Sequence, residues 1–301
     1  MPALDLDGVF PPLPTPFTAD ESIDTPALAH NLRTLLAAPI RGVVVLGSNG
    51  EAPLVGDDDS ARLLAAAREA VPRDRVLIAG TGRESTRETM LFTQRAADAG
   101  ADAALVRTPS FFKAQLTAEA FVAHYTRVAD ASPVPILLYN YTALTGVTLP
   151  PEAVATLATH PNIIGMKESG TDETLIAAYG ASTSGTFRLL GGTVTALHAS
   201  IAAGARGAIL AAAVVVPRQC VTLFDHFTAG RHDEARALQA RIVELNRYVT
   251  STYGIAGLKL AQDLIGQRGG APRLPTLPAP DDARAPIAAQ LRALGALEDA
   301  R

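Results

Sequence analysis

Short apolar segments recur along the chain, and a longer stretch with helical periodicity follows most of them. Near-continuous apolar runs of this length are typical of parallel strands that are covered on both faces. The predicted strands are 8–10, 41–48, 76–82, 103–109, 135–140, 163–169, 188–192 and 207–213. The predicted helices between them are 25–37, 58–70, 85–99, 117–129, 151–159, 172–179 and 194–203.

The ends of these helices carry residues that cap helices. Ser85 and Thr117 stand at the starts of two predicted helices, and Asp59 or Ser60 is the expected cap of another. Side-chain oxygens of these residue types accept hydrogen bonds from the first backbone N–H groups of a helix. The preceding acidic residues, Asp57 and Asp58, would favour the same helix N-terminus electrostatically.

Eight strands that alternate with helices predict an α/β fold, a (β/α)8 TIM barrel, whose usual size is about 250 residues. We assign residues 1–213 to the barrel and residues 214–301 to a C-terminal helical extension packed on it. The spacing of Ala235, Ile242 and Leu245 predicts an amphipathic helix in this extension. A final helix is expected to begin at Asp281 or Asp282.

Composition and charge exclude several classes of protein. The 301 residues carry a net charge of −4 and contain one cysteine, Cys220. No basic patch interleaved with aromatic residues points to nucleic acid, and no apolar run approaches the ~18 residues that span a membrane. A single cysteine forms no internal disulfide, and the six histidines lack the spacing of a metal site. Without a signal peptide pattern, a cytoplasmic protein is expected.

The most informative stretch is the predicted strand 163–169, which contains a lysine among apolar residues. The chain has only three lysines, Lys113, Lys167 and Lys259. Burial disfavours the charged form and lowers the pKa of a lysine by as much as ~3–5. A neutral amine is a nucleophile that forms a Schiff base with a ketone or aldehyde. The alternative is a structural lysine paired with a carboxylate.

In a TIM barrel the active site lies at the C-terminal ends of the strands. The second strand leads into Ser48, Asn49 and Gly50, whose side chains and N–H groups suit a carboxylate, although an Asn-Gly turn alone also explains them. The fifth strand carries Tyr139 near its end, and this residue is either a proton carrier near Lys167 or an aromatic residue that fills the barrel.

The seventh strand ends in Gly191 and Gly192. Glycines at this position let a ligand approach the backbone closely.

Three motifs in this order resemble the pyruvate-dependent aldolase family that includes dihydrodipicolinate synthase and N-acetylneuraminate lyase. They are GSNGE at Gly47–Glu51, YN…TG at Tyr139 to Gly146, and GMKES at Gly165–Ser169. The resemblance covers residues 7–275, nearly the whole chain. HPNIIGMKES and YGIAGLK are most similar to the 4-hydroxy-2-oxoglutarate aldolases within it.

The resemblance implies a (β/α)8 barrel with three C-terminal helices that assembles as a homotetramer, a dimer of dimers. It implies that Lys167 forms the Schiff base and that Tyr139 relays protons. Ser48 and Asn49 would bind the carboxylate of the substrate, and Ser169 would support the site. The substrates would be a 2-oxo acid and an aldehyde, with no cofactor or metal beyond the covalent lysine imine.

Two departures from the family pattern bear on the substrate. Phe111 and Phe112 stand where the family has paired tyrosines, one of which relays protons across a subunit interface. Leu144 stands where dihydrodipicolinate synthases carry an arginine that grips the carboxylate of the aldehyde substrate. Loss of that contact disfavours dihydrodipicolinate synthase activity, although Arg83 or Arg107 could replace the charge.

The leading hypothesis is therefore a class I aldolase that cleaves a 4-hydroxy-2-oxo acid reversibly to pyruvate and an aldehyde. A second hypothesis keeps the imine in a hydratase or dehydratase of a 2-oxo sugar acid. A third is a barrel that binds a 2-oxo acid or a partner protein without turnover.

Overall fold

The computed structural model describes residues 4–182, 185 and 187–298, and these form two compact units. The first unit contains the described residues of Met1–Asp7 and Val76–Ile209, and the second contains those of Gly8–Arg75 and Leu210–Arg301. The barrel and extension assigned above, residues 1–213 and 214–301, remain a prediction.

Each predicted strand and helix has a counterpart in the structure. The strands are β1 (Gly8–Phe10), β2 (Gly42–Val45), β3 (Val76–Gly80), β4 (Ala103–Arg107), β5 (Ile136–Asn140), β6 (Ile163–Glu168), β7 (Arg188–Gly191) and β8 (Gly207–Ile209). The α-helices are α1 (Thr25–Leu36), α2 (Asp57–Ala70), α3 (Thr86–Asp98), α4 (Ala118–Ala131), α5 (Thr142–Thr145), α6 (Pro151–Leu157), α7 (Glu173–Gly180), α8 (Leu197–Ala202), α9 (Pro217–Thr228), α10 (His232–Asn246), α11 (Gly254–Leu264) and α12 (Arg284–Ala293). A π-helix, Arg247–Thr252, joins α10 to α11.

Two of the predicted helix caps are confirmed and one is wrong. The Ser85 hydroxyl accepts from the N–H of Glu88 at 3.1 Å, and the Thr117 hydroxyl accepts from the N–H of Ala120 at 3.3 Å. Helix α2 begins earlier than expected, at Asp57, so that Gly56 is its N-cap. The predicted caps of α2, Asp59 and Ser60, therefore lie within its first turn. The negative charge of Asp59 there still interacts favourably with the positive end of the helix dipole.

In the first unit, β3 to β8 pair in chain order and are all parallel. Leu138 of β5 and Met166 of β6 are buried in one apolar cluster with Tyr125 of α4. Successive side chains of a strand point to opposite faces. Tyr139 and Lys167, each the next residue along its strand, therefore lie on the face turned away from that helix layer.

In the second unit, β1 and β2 are accompanied by α1, α2 and the helices from α9 onward. Pro12 and Val44 form a parallel bridge, and the N–H of Arg41 donates to the carbonyl of Val9 at 3.0 Å. The predicted stripe of α10 is confirmed at Ile242 and Leu245, which are fully buried. None of the helices within the described ranges combines the length and the apolar character that crossing a bilayer would require.

Candidate active site

Lys167 is buried on β6, with only 6% of its surface exposed. Its Nζ lies 4.3 Å from the centre of the Tyr139 ring. Burial lowers the pKa of Lys167 to about 7, and the nearby charge of Glu168 opposes this shift. A lysine with this pKa carries a substantial neutral fraction at neutral pH, as a nucleophilic amine requires.

Strand register brings the amine and the phenol together. Tyr139 and Lys167 are paired residues on the neighbouring parallel strands β5 and β6, so their side chains emerge side by side. Tyr139 is itself buried. The structure therefore places a buried nucleophile beside a phenol, and Tyr139 occupies the position predicted from the strand pattern.

A polar network lies one residue further along both strands. The Asn140 Nδ2 donates to Glu168 Oε2 at 2.6 Å, and the N–H of Gly170 donates to Glu168 Oε1. Asn140 Oδ1 accepts from the N–H of Leu149 at 2.9 Å. Burial raises the pKa of Glu168, which the hydrogen bonds from Asn140 and Gly170 partly offset. Sequence reasoning missed this network, although the Tyr-Asn and Lys-Glu pairs at two strand ends were its signal.

The carboxylate of Glu168 thus accepts hydrogen bonds from Asn140 and Gly170, and not from the amine of Lys167. Over the described part of the chain, no hydrogen bond or ion pair joins a carboxylate to Lys167 Nζ. The alternative of a structural lysine locked to a carboxylate does not apply to it. It applies to Lys259, which is fully buried with its Nζ 2.7 Å from Glu51 Oε1.

The loop with Ser48, Asn49 and Gly50 follows β2 in the second unit. Both polar residues are half-buried, and Gly50 is buried. The Thr15 hydroxyl donates to the Gly50 carbonyl at 2.6 Å. A Cβ at Gly50 would lie 2.9 Å from the backbone nitrogen of Leu46, so this position needs glycine. The role of the loop in carboxylate binding remains a prediction.

Ser169 and Gly192 meet at the ends of β6 and β7. The N–H of Gly192 donates to the Glu168 carbonyl at 2.6 Å, and a Cβ at Gly192 would collide with the Ser169 hydroxyl. Gly191 is buried on β7. The Ser169 hydroxyl is buried and has no hydrogen-bond partner among the residues that the structure describes. It can therefore donate to or accept from a ligand.

Phe111, Phe112 and Leu144 lie on the surface of the first unit. The two phenyl rings are 76% and 70% exposed and contact each other edge to face, with 5.0 Å between their centres. Leu144 is also exposed. Phenyl and isobutyl groups neither transfer protons nor pair with a carboxylate. These three side chains therefore cannot perform the roles of the family's tyrosines and arginine.

The arginines considered as substitute charges are engaged elsewhere in the first unit. Arg107 Nη1 forms an ion pair with Glu84 Oε1 at 2.8 Å, and the guanidinium of Arg83 stacks 3.8 Å over the Phe92 ring. Glu84 also accepts hydrogen bonds from the N–H groups of Ser110 and Phe111, each at 2.9 Å, and its pKa is lowered by these contacts against the opposing effect of burial. Arg107 thus helps to hold the loop that carries the phenylalanine pair.

The donor set of the described residues offers no cluster of three or more histidine, cysteine or acidic side chains that could hold a metal ion. The reactive groups of the first unit are the low-pKa amine of Lys167, the phenol of Tyr139 and the Ser169 hydroxyl without a hydrogen-bond partner. These groups suit imine chemistry with a carbonyl compound.

Comparison with known proteins agrees with this geometry. The family model of the dihydrodipicolinate synthetase family matches residues 5–294. A 4-hydroxy-tetrahydrodipicolinate synthase from Xanthomonas campestris is 36% identical, over 91% of this chain and 90% of that protein. A probable mitochondrial 4-hydroxy-2-oxoglutarate aldolase from Emericella nidulans is 32% identical, over 92% of each.

The crystal structure of a dihydrodipicolinate synthase from Bacillus anthracis superposes with a TM-score of 0.91, at 23% identity and over 96% of this chain and 99% of that one. The predicted fold class, a (β/α)8 barrel with C-terminal helices, is thereby confirmed. The extent of the family match and the identities to its named members show that this chain belongs to the dihydrodipicolinate synthetase family and is a carbon–carbon lyase.

Proposed function

We propose that the protein is a class I aldolase that reversibly cleaves a 4-hydroxy-2-oxo acid to pyruvate and an aldehyde through an imine on Lys167. The observation that carries this proposal is the buried Lys167 amine, with a pKa of about 7 and 4.3 Å from the Tyr139 ring. Similarity to a probable 4-hydroxy-2-oxoglutarate aldolase supports this choice of substrate.

In the proposed reaction the neutral amine of Lys167 attacks C2 of the 2-oxo acid, and the carbinolamine loses water to become an imine. The protonated imine accepts the electron pair of the C3–C4 bond as that bond breaks. The C4 hydroxyl loses its proton and becomes the carbonyl of the released aldehyde. Protonation of the enamine at C3 and hydrolysis then release pyruvate and regenerate the amine.

Four residues besides Lys167 have separate roles in this proposal. Tyr139 accepts the proton that the C4 hydroxyl loses and passes it to the solvent or the substrate, because its phenol lies beside the amine. Ser48 and Asn49 bind the carboxylate of the 2-oxo acid through their side chains and N–H groups, and the unsatisfied Ser169 hydroxyl contacts the substrate. No cofactor or metal is needed, since the imine itself is the electron sink.

Incubation with pyruvate and sodium borohydride tests the proposal. The reduced adduct should appear on the peptide that contains Lys167 and not on the peptides of Lys113 or Lys259. Lys259→Arg would serve as the control for a buried lysine, and Lys167→Ala should abolish labelling. An unlabelled wild-type protein contradicts the proposal. Release of pyruvate from 4-hydroxy-2-oxo acids then supports aldol cleavage, whereas loss of water without pyruvate supports a dehydratase.

A second candidate is 4-hydroxy-tetrahydrodipicolinate synthase activity, favoured by the 36% identity to the Xanthomonas campestris enzyme of that name. The same Lys167 imine would serve, with pyruvate condensing with an aldehyde that bears a carboxylate. The exposed Leu144, in place of the expected arginine, weighs against it. Two assays on one preparation separate the candidates: condensation of pyruvate with the carboxylate-bearing aldehyde, and cleavage of a 4-hydroxy-2-oxo acid. The leading proposal expects the cleavage to be the faster reaction.

The assembly proposed for the protein is a homotetramer. The exposed phenylalanine pair supports burial of this surface against another copy, because exposed aromatic patches mark interfaces. Sedimentation velocity should give a tetramer, and a monomer across micromolar concentrations would contradict this expectation.

A further inference from the structure

A buried cluster of charges lies in the second unit, outside the groups used so far. Lys259 Nζ lies 2.7 Å from Glu51 Oε1, and the two side chains are 0% and 3% exposed. Lys259 Nζ also donates to the carbonyl of Ala271 at 2.9 Å, and Glu51 Oε2 accepts from the N–H of Arg273 at 2.9 Å. Burial lowers the pKa of Lys259, and the hydrogen bond and charge of Glu51 oppose that shift.

A buried ion pair is weak evidence for stability, because desolvation of both charges offsets much of their attraction. Its value here lies in what it orients. Glu51 ends the loop Gly47–Glu51 and adopts a left-handed backbone conformation with φ of 55°. Leu46, immediately before this loop, also has φ of 55°. Left-handed conformations are unfavourable for residues with a side chain, so surrounding contacts must hold them.

The contacts that hold this loop reach it from two sides. On one side, Lys259 and Arg273 bind the Glu51 carboxylate, and the guanidinium of Arg273 is itself fixed by Leu54 O at 2.8 Å and Asp59 Oδ2 at 2.9 Å. On the other side, the Thr15 hydroxyl binds the Gly50 carbonyl. Ser48 and Asn49 therefore sit between two left-handed residues, and the second of these is anchored to Lys259.

We propose that Lys259 is a positioning residue that, through Glu51, holds Ser48 and Asn49 in the conformation that binds the carboxylate of the 2-oxo acid. This inference rests on the proposed function of that loop. Because the pair acts on binding and not on the reactive amine, its loss weakens the affinity for pyruvate without slowing the chemistry at saturation.

The experiment measures the rate of borohydride-trapped imine formation against pyruvate concentration. Lys259→Met removes the charge and keeps much of the side-chain volume. The half-saturating pyruvate concentration should rise about tenfold or more, a loss similar to that at metal sites when a residue that orients a ligand is removed. The maximal rate at saturation should stay within about twofold. Lys259→Arg, which keeps the charge, should restore much of the affinity, and Lys113→Met, at an exposed lysine, should change nothing.

Glu51→Asp provides an independent variant that keeps both charges and shortens only the carboxylate arm. Circular dichroism and thermal unfolding report whether each variant folds. If Lys259→Met does not fold, Glu51→Asp decides the outcome. A folded variant with unchanged half-saturation overturns the inference, and so does a fall in maximal rate without a change in half-saturation. Absence of labelling at Lys167 in the wild type overturns the proposed function instead, so the two failures are distinguishable.

Discussion

The pH dependence of imine formation follows directly from the burial of Lys167. An ordinary lysine has a pKa of 10.5, whereas burial brings that of Lys167 to about 7. At pH 7.5 about three-quarters of such amines are neutral, against roughly one in a thousand for an ordinary lysine. The lowered pKa therefore raises the neutral, nucleophilic fraction of the amine by several hundred-fold.

The assay is the second-order rate of adduct formation with pyruvate, trapped by cyanoborohydride and quantified by mass spectrometry of the intact protein. At subsaturating pyruvate this rate reports the free enzyme. It should rise with pH through a midpoint of about 7 and then level off, because the amine is then fully deprotonated. Lys167→Ala gives the background from other amines, and Lys113→Arg removes the exposed lysine.

A rate that keeps rising about tenfold per pH unit up to pH ~10 would refute the reasoning, since this is the behaviour of a solvated lysine. A plateau with Lys167→Ala identical to the wild type would refute the assignment of the residue instead.

Three further predictions concern the same site. Glu168→Gln removes a negative charge that raises the pKa of Lys167, so the midpoint of the trapping profile should move to lower pH. Tyr139→Phe keeps the ring beside the amine and removes the hydroxyl, so trapping should persist while turnover of a 4-hydroxy-2-oxo acid falls by roughly 10²–10⁴. Lys167→Met should stabilise the fold at low pH. The folded pKa lies below the unfolded one, so the unfolded wild type binds more protons between pH of about 7 and 10.5. Wild-type stability should therefore rise across that window, by at most roughly 5 kcal/mol, and thermal unfolding of the variant should lack this rise; an identical pH dependence in both proteins would contradict it.

The strands and most helix ends could be predicted because their causes are local. Ser85 and Thr117 cap helices with their own side chains, and the apolar runs bury both faces of a parallel strand wherever they are placed. The alternation of β6 likewise placed Lys167 and Met166 on opposite faces. The three motifs identified the family because each is a short stretch of sequence, and their order and separation can be read directly from the chain.

Other boundaries depended on contacts that no local pattern reveals. Strand β2 ends at Val45 and not at 48, because Leu46 turns to a left-handed conformation. Helix α2 starts at Asp57, so Asp59 is not its cap. The carboxylate of Asp59 instead pairs with Arg273. Residues of that pair are far apart in the chain, so their contact appears only after folding.

The sequence by itself determined that Lys167, in a predicted apolar strand, would be a candidate nucleophile, but it left open whether this lysine was instead paired with a carboxylate. Lys167 and Lys259 both end up buried, and only the tertiary structure separates their roles. Glu51 neutralises Lys259 across a long stretch of chain, whereas the carboxylate next to Lys167 is directed to Asn140 and Gly170. The pKa of a buried amine depends on which charges surround it in space, and that surrounding is a property of the fold.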